Sequence, residues 1–238
     1  MRRKSMFLAL GIAVLLAGGA VGTLALLMRH EPEFYRRRAV APGQARNSQD
    51  KEFKKGFTFL LSRAYNGDDF NVTFTEDQIN SYFQESFITS KFAEKSLPQD
   101  ISEPRVAIEP DRIRLAFRYG SAPWCSIISV DWRVWLAPKE PNVVALELQG
   151  LHAGSLPISA QSLLEQISDI ARRMNIDVAW YRHDGNPVAL LRFPNDTRSG
   201  VQLHQLELSS GKLTLVGRAL ESAPHAANGR PGLAPHAN

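Results

Sequence analysis

The sequence predicts an α+β fold in which a curved antiparallel sheet wraps amphipathic helices, preceded by one N-terminal transmembrane helix. Three observations predict it. Met6 to Met28 is an uncharged apolar run bracketed by Arg2, Arg3 and Lys4 before it and Arg29 after it. Between residues 112 and 148 apolar side chains recur with a period of two, the mark of half-buried strands. Elsewhere they recur at helical spacing, in stripes that bury one face.

The first element is the apolar run. At about 1.5 Å per residue it is roughly 34 Å long as a helix, enough to cross a hydrocarbon core about 30 Å thick. Ala17 to Ala20 resembles a signal-peptidase site, but Val21 to Met28 continues the run past the length of a secretory h-region. An uncleaved signal anchor over residues 1–28 is therefore the favoured reading, with a cleaved signal peptide as the alternative. Both flanks are basic, so the positive-inside count does not orient the helix. A short tail before a large domain usually stays inside, which puts residues 29 onward on the extracytoplasmic side.

Charge distribution narrows the partners. The chain carries 28 Lys and Arg against 24 Asp and Glu, but residues 1–38 hold seven of the basic and two of the acidic groups. The remaining 21 and 22 give the soluble part a net charge of −1, without the clustered basic surface of a nucleic-acid binder. The basic residues beside the apolar run suit anionic headgroups. Cys125 is the single cysteine, which excludes an internal disulfide or a cysteine zinc cluster. Beside Pro123 and Trp124 it reads as a small hydrophobe.

Residues 29–50 are charged and polar with Pro32, Pro42 and Gly43, and read as a juxtamembrane linker. The folded domain is expected over 51–220. Phe53, Phe57, Leu60, Leu61 and Ala64 mark a helix stopped by Asn66-Gly67. Thr75 and Gln78 stand in the capping-box relation and open a second helix with the face Ile79, Tyr82, Phe83 and Phe87. Past Pro98 the period changes to two. Ile113, Leu115, Phe117 and Tyr119 alternate with Arg112, Arg114, Ala116 and Arg118, and Ile128, Val130, Trp132, Val134 and Leu136 form the next apolar face. Val144, Leu146 and Leu148 continue it through residues 143–152. The links are too short for a parallel crossover, so these strands are antiparallel.

Leu163, Leu164, Ile167, Ile170, Ala171 and Met174 form the stripe of a third helix from about Ser159 to Asn175. Four strands follow at 177–182, 188–193, 201–208 and 212–218, with turns at Asp184-Gly185 and Ser210-Gly211. In 201–208 the apolar phase slips between Leu203 and Leu206, which predicts a bulge or a strand with two partly covered faces. Residues 221–238 hold Pro224, Pro231 and Pro235 without an apolar period and are expected to be a disordered tail.

The chemical motifs are sparse. There is no G-x-S-x-G, no phosphate loop and no H-E-x-x-H. His152, His183 and His204 lack metal-ligand spacing, so no metal site and no cofactor is expected. Asp131 alternates with apolar residues and belongs on the wet face of its strand. The arginines at 105, 112, 114, 118 and 133 read as a solvated face balanced by Glu103, Glu109, Asp111 and Asp131. Asn71-Val72-Thr73 and Asn195-Asp196-Thr197 match the glycosylation sequon, which has meaning only in a glycosylating pathway.

The stretch Val72-Thr73-Phe74-Thr75-Glu76-Asp77-Gln78-Ile79-Asn80-Ser81-Tyr82-Phe83 resembles the strand-to-helix entry of the membrane-anchored YpmS-like family and of the YceB-like lipoproteins. The order of later elements is similar too: a strand meander, Gly154-Ser155-Leu156-Pro157-Ile158, an amphipathic helix and more strands. These proteins resemble the tubular lipid-binding (TULIP-like) type, in which a curved sheet wraps a long helix around an apolar groove. The resemblance covers roughly residues 70–218 as an ordering of elements. It departs at the anchor, since this chain has no lipid-attachment cysteine after its apolar segment.

The resemblance and the apolar run together imply a non-catalytic membrane-anchored envelope protein that binds lipid or another apolar ligand. The groove is expected from Ile113, Leu115, Phe117, Ile128, Val130, Trp132, Val134, Leu146 and Leu148, with Leu163, Ile167 and Ile170 from the third helix. At about 0.8 kcal/mol per methylene, burying a sixteen-carbon chain gains roughly 12 kcal/mol relative to water. The rival is an interaction module with a dry core that docks onto an envelope protein partner, because a face lining a groove and a face filling a core share one periodicity. Retention of the anchor is checked by N-terminal sequencing of the membrane-bound protein, with an intact N-terminal segment expected and a mature start near residue 21 counting against it.

Overall fold

The computed structural model describes residues 19, 20, 22–91, 94, 100–122, 125–173, 176–193 and 201–219. Residues 1–18 and 21 of the expected anchor, the second sequon and the expected disordered tail, 221–238, lie outside the described residues. The chain is α+β, with antiparallel sheets and a few helices. In order it forms α1 (Glu33–Arg37), α2 (Gln44–Asn66), β1 (Phe70–Thr75) and α3 (Glu76–Tyr82), which runs into a π-helical turn at Phe83–Phe87. Next come β2 (Ile101–Glu109), β3 (Arg112–Tyr119), β4 (Ser126–Leu136), β5 (Val143–Ala153) and the short β6 (Leu156–Pro157). Helix α4 (Gln161–Arg173), β7 (Asp177–His183), β8 (Asn186–Arg192), β9 (Val201–Ser209) and β10 (Lys212–Ala219) complete it.

The strands divide between two sheets where the sequence predicts one. Seven strands run in the order β2-β3-β4-β5-β8-β7 with β6 on β5, and three run β1-β10-β9. The division has a physical cause at the free edge of β2. Side chains of α3 and its π-helical continuation occupy that edge at every second residue. The Asn80 amide donates to Val106 O at 2.9 Å and its carbonyl accepts from Val106 N at 2.7 Å. One turn earlier the Glu76 carboxylate accepts from Ile108 N at 2.8 Å, and one turn later Gln84 donates to Pro104 O at 2.9 Å. Four helical residues rise about 6 Å and two strand residues about 6.6 Å, so the two periods stay in step over this length. Gly211 N closes the last group, donating to Ile108 O at 2.9 Å. With these groups satisfied β2 accepts no further strand, and β9 and β10 pair with β1 instead.

The predicted start of α3 is correct in detail. Thr75 and Gln78 exchange the two bonds of a capping box, at 2.9 and 3.2 Å. Helix α2 stops where Asn66-Gly67 predicts, with Gly67 in the left-handed region at φ 77° and its N–H on Ala64 O. It begins earlier than expected, however, at Gln44. Segment 29–50 is thus no bare linker: it holds α1 and the first turns of α2, anchored by buried Asp50, which binds Lys54 at 2.6 Å and Ser86 at 2.8 Å.

The predicted bulge in β9 is present. Val216 pairs with Gln205 and Gly217 with Leu203, so His204 is the extra residue, and the slip lets Leu203 and Leu206 face the same side. Gly217 lies beneath the Phe70 ring, where a Cβ would come within 2.2 Å of Cε1. A second bulge in β5, at Gln149 opposite Asp131 and Trp132, brings Leu148 and Leu151 to one face despite their odd spacing. The core is built on this face. Val106, Ile108, Val134, Val144 and Leu208 form one cluster, joined by Ile79, Phe83 and residues of β9 and β10.

The chain before α1 reaches the sheet at its other end. Residues 22–28 are helical and exposed apart from half-buried Ala25, and among the described residues no helix is long and apolar enough to cross a membrane. Leu27 O accepts from Ser155 N at 2.9 Å and Met28 O from Ser126 Oγ at 2.6 Å. These bonds go to carbonyls at the helix end, where Leu27 O also accepts from His30 N at 3.3 Å. Gly154, at φ +60°, permits the contact, since a Cβ there would lie 2.2 Å from Leu27 O.

Replacing Asn80 by Ala leaves a buried N–H and a buried C=O on Val106 without partners. We expect a loss of about 3 kcal/mol, from roughly 1–3 kcal/mol per unsatisfied group, read as a lower urea midpoint of the purified protein.

Candidate apolar ligand site

The register puts the sequence-predicted face together. Ile113 pairs with Trp132, Leu115 with Val130 and Phe117 with Ile128, while Val130 faces Leu151, Trp132 faces Leu148 and Val134 faces Leu146 across the next strand. Cross-strand partners share a side of the sheet, so all nine predicted strand residues lie on one face.

That face is covered by two different elements. Ile113, Val134 and Leu146 pack under the three-stranded sheet and α3, in the first cluster. Val130, Leu148 and Leu151 form a second cluster with Ile128, Ala160, Leu163 and Leu164, beneath α4. Trp132 spans both clusters. Between α4 and the ends of β2, β3 and β4 a groove of about 220 Å³ remains, lined by Ile101, Phe117, Ile128, Val130, Leu151 and Leu163. Tyr119, Ile158, Ser159, Ser162 and Gln166 stand at its margin. Leu115 is half-buried between Val106 and Val130. Ile167 and Ile170 are half-buried on α4 but neither line the groove nor join a cluster. At the far side of α4, Ser168 accepts from the Trp180 indole at 2.8 Å and ties the helix to β7.

The groove thus gathers Phe117, Ile128, Val130 and Leu163 from the predicted set. Sequence reasoning missed Ile101, Leu151 and Ile158. Ile158 follows the short β6 and belongs to no periodic stretch, and Leu151 changes face only because of the Gln149 bulge, for which no local residue pattern is a signal.

The opposite face of the large sheet carries the arginines, and it is not a free wet surface. Residues 29–38 lie across it. Tyr35 is fully buried with Ala116 and Ile127, and its hydroxyl donates to Glu103 O at 2.9 Å. Arg105 stacks 4.0 Å from the Tyr35 ring centroid and donates to Tyr35 O at 2.8 Å. The sequence-predicted charge balance holds for three of its four carboxylates, since Asp111 joins no ion pair among the described residues: Glu103 lies 2.9 Å from Arg105 and 3.4 Å from Arg118, and Arg114 lies 3.6 Å from Glu109 and 3.7 Å from Asp131. Arg133 reaches buried Glu147 at 3.9 Å, a partner the alternation does not reveal. Asp131 is half-buried rather than exposed, because the strap covers its side of the sheet.

A polar cleft of about 500 Å³ lies beneath this strap, among His30, Arg37, Arg38, Arg114, Asp131 and His152. Its arginines are engaged: Arg37 binds Glu33, Arg38 binds buried Glu76 at 2.6 Å, and Arg114 has its two carboxylates. Burial raises the Glu76 pKa even though the Ile108 N–H and Arg38 both favour its charged form. No group of His, Cys, Asp and Glu suited to a metal ion occurs among the described residues. No protein-family model matches the chain, and no curated protein or solved structure matches it.

Burial pushes the Tyr35 pKa from 10.0 up to about 12, against the pull of Arg105. The fold therefore holds the phenolic proton more tightly than the unfolded chain does, and stability is lost as pH rises from 10.0 through about 12. We expect Tyr35→Phe to cost about 1 kcal/mol at neutral pH for the lost hydrogen bond. The same change removes part of the alkaline loss, so the urea midpoints of the two proteins converge above pH 10.0.

Proposed function

We propose that this protein is a single-pass membrane protein of the tubular lipid-binding type, anchored by Met6 to Met28 and carrying an extracytoplasmic domain that binds lipid without catalysis. One observation carries the reading: the continuous apolar face of the seven-stranded sheet is covered by two separate elements, and the uncovered part beside α4 is a groove lined by Phe117, Ile128, Val130, Leu151 and Leu163. Its volume of about 220 Å³ corresponds to about seven units the size of a water molecule, at roughly 30 Å³ each. A groove of that size takes a segment of an acyl chain. Seven methylenes contribute about 6 kcal/mol, which retains a lipid against water but not against the bilayer, and this balance suits transfer or sensing.

A second reading has its own observation. On α2, Phe57, Leu61 and Tyr65 form a stripe four residues apart that is 44, 53 and 82% exposed. An interaction module would dock a partner there.

The deciding measurement is mass spectrometry of lipid extracted from residues 29–238, which keep Tyr35 packed on the sheet and Arg38 paired with Glu76, purified without detergent. We expect a co-purifying lipid and saturable uptake of a fluorescent fatty acid, reduced by Leu163→Trp, which fills the groove. Absence of both would remove the lipid reading and leave the interaction module.

A further inference from the structure

We propose that the rim of the large sheet beside Met28 is a membrane-contact surface, seated in the headgroup layer so that the apolar groove opens toward the bilayer. The proposal rests on the anchor and groove readings and adds the orientation of the domain and the route of its ligand. The helical residues 22–28 meet the domain at one place, through Leu27 O on Ser155 N and Met28 O on Ser126 Oγ. Both contacts involve backbone at the helix end, and Gly154 is pressed against the same carbonyls. The strap beyond it is held by Tyr35 on Glu103 and by Arg105 on Tyr35 O. The end of the apolar run is therefore fixed to the sheet rather than joined to it by a flexible tether, and the rim that receives it lies at the bilayer surface.

The rim has the composition of an interfacial surface. The groove margin is there, because Ile101 pairs with Tyr119, Tyr119 with Ser126, and Ile128 with Ala153. Two large side chains at that margin stay exposed, Tyr119 at 44% and Ile158 at 42%. On the other side of the same strand ends, Arg29 and Arg118 line a hollow with Ser126 and Ile127. An aromatic and an aliphatic side chain beside arginines match a layer that is apolar below and anionic above. The opposite end of the sheet, at the β4–β5 turn, carries Lys139 and Glu140, both exposed. It lies roughly 30 Å away along the strands.

The test uses the full chain in phosphatidylethanolamine–phosphatidylglycerol vesicles, in a Cys125→Ala background, with a bimane label at one introduced cysteine. Ser121→Cys places it on the exposed β3–β4 turn outside the groove, and Lys139→Cys places it at the far end of the sheet. With nitroxide-headgroup lipid in the vesicles, we expect Ser121→Cys to lose most of its emission and Lys139→Cys to lose none. Equal quenching at the two sites, or a chain that washes off the vesicles at alkaline pH, would overturn the proposal. Because the Ser121 label lies outside the groove, its quenching reports seating and not occupancy. Quenching without co-purifying lipid would sink the groove reading alone, and lipid without quenching would sink the seating alone.

Discussion

The fold depends on how β2 is terminated. An edge strand offers unpaired N–H and C=O groups to any passing strand, and most sheets protect it with charge or a bulge. Here α3 and the π-helical turn satisfy it with side chains: Glu76, Asn80 and Gln84, spaced by four, reach Ile108, Val106 and Pro104, spaced by two. The arrangement requires polar groups to be buried, and Glu76 and Asn80 are 4 and 1% exposed. Each is therefore costly to disturb, because no water stands ready to replace a lost partner.

Several features depend on that closure. With β2 occupied, β1, β9 and β10 form their own sheet and stack on the apolar face. Gly211 links the two sheets through Ile108 O, and Glu76 N donates to Gly211 O at 2.8 Å. Arg38 reaches Glu76 at 2.6 Å from the other side. The same carboxylate thus joins the helix, the edge strand and the N-terminal strap, and its burial connects the domain core to the segment that leads back to the apolar run.

The two faces of the large sheet have opposite fates. The apolar face is covered by the small sheet and by α4, which meet at Trp132, and a groove remains between α4 and the ends of β2, β3 and β4. The arginine face is covered by residues 29–38, whose Tyr35 stacks on Arg105. Pairing with Glu103, Glu109 and Asp131 lowers the cost of placing Arg105 and Arg114 beneath the strap, with side-chain exposures of 13% and 28%. The strap binds β2 at Glu103 and Arg105, interleaved with Pro104, Val106 and Ile108, which α3 and its continuation close, so the position of β2 couples the core to the N-terminal segment.

Local signals in the sequence determined the elements. Period-two alternation located β3, β4 and β5, Thr75 and Gln78 located the start of α3, Asn66-Gly67 stopped α2, and the phase slip between Leu203 and Leu206 marked the bulge at His204. Each rests on neighbours within a few residues, where propensity and patterning act. The division into two sheets, the burial of Tyr35 in what reads as a linker, and the Leu151 lining of the groove were decided by tertiary structure alone. They depend on partners 26 to 68 residues apart, such as Asn80 with Val106 and Tyr35 with Glu103. A buried Asn or Tyr is indistinguishable from a surface one until its distant partner is in place, because the free energy that selects its position comes from contacts that no local pattern encodes.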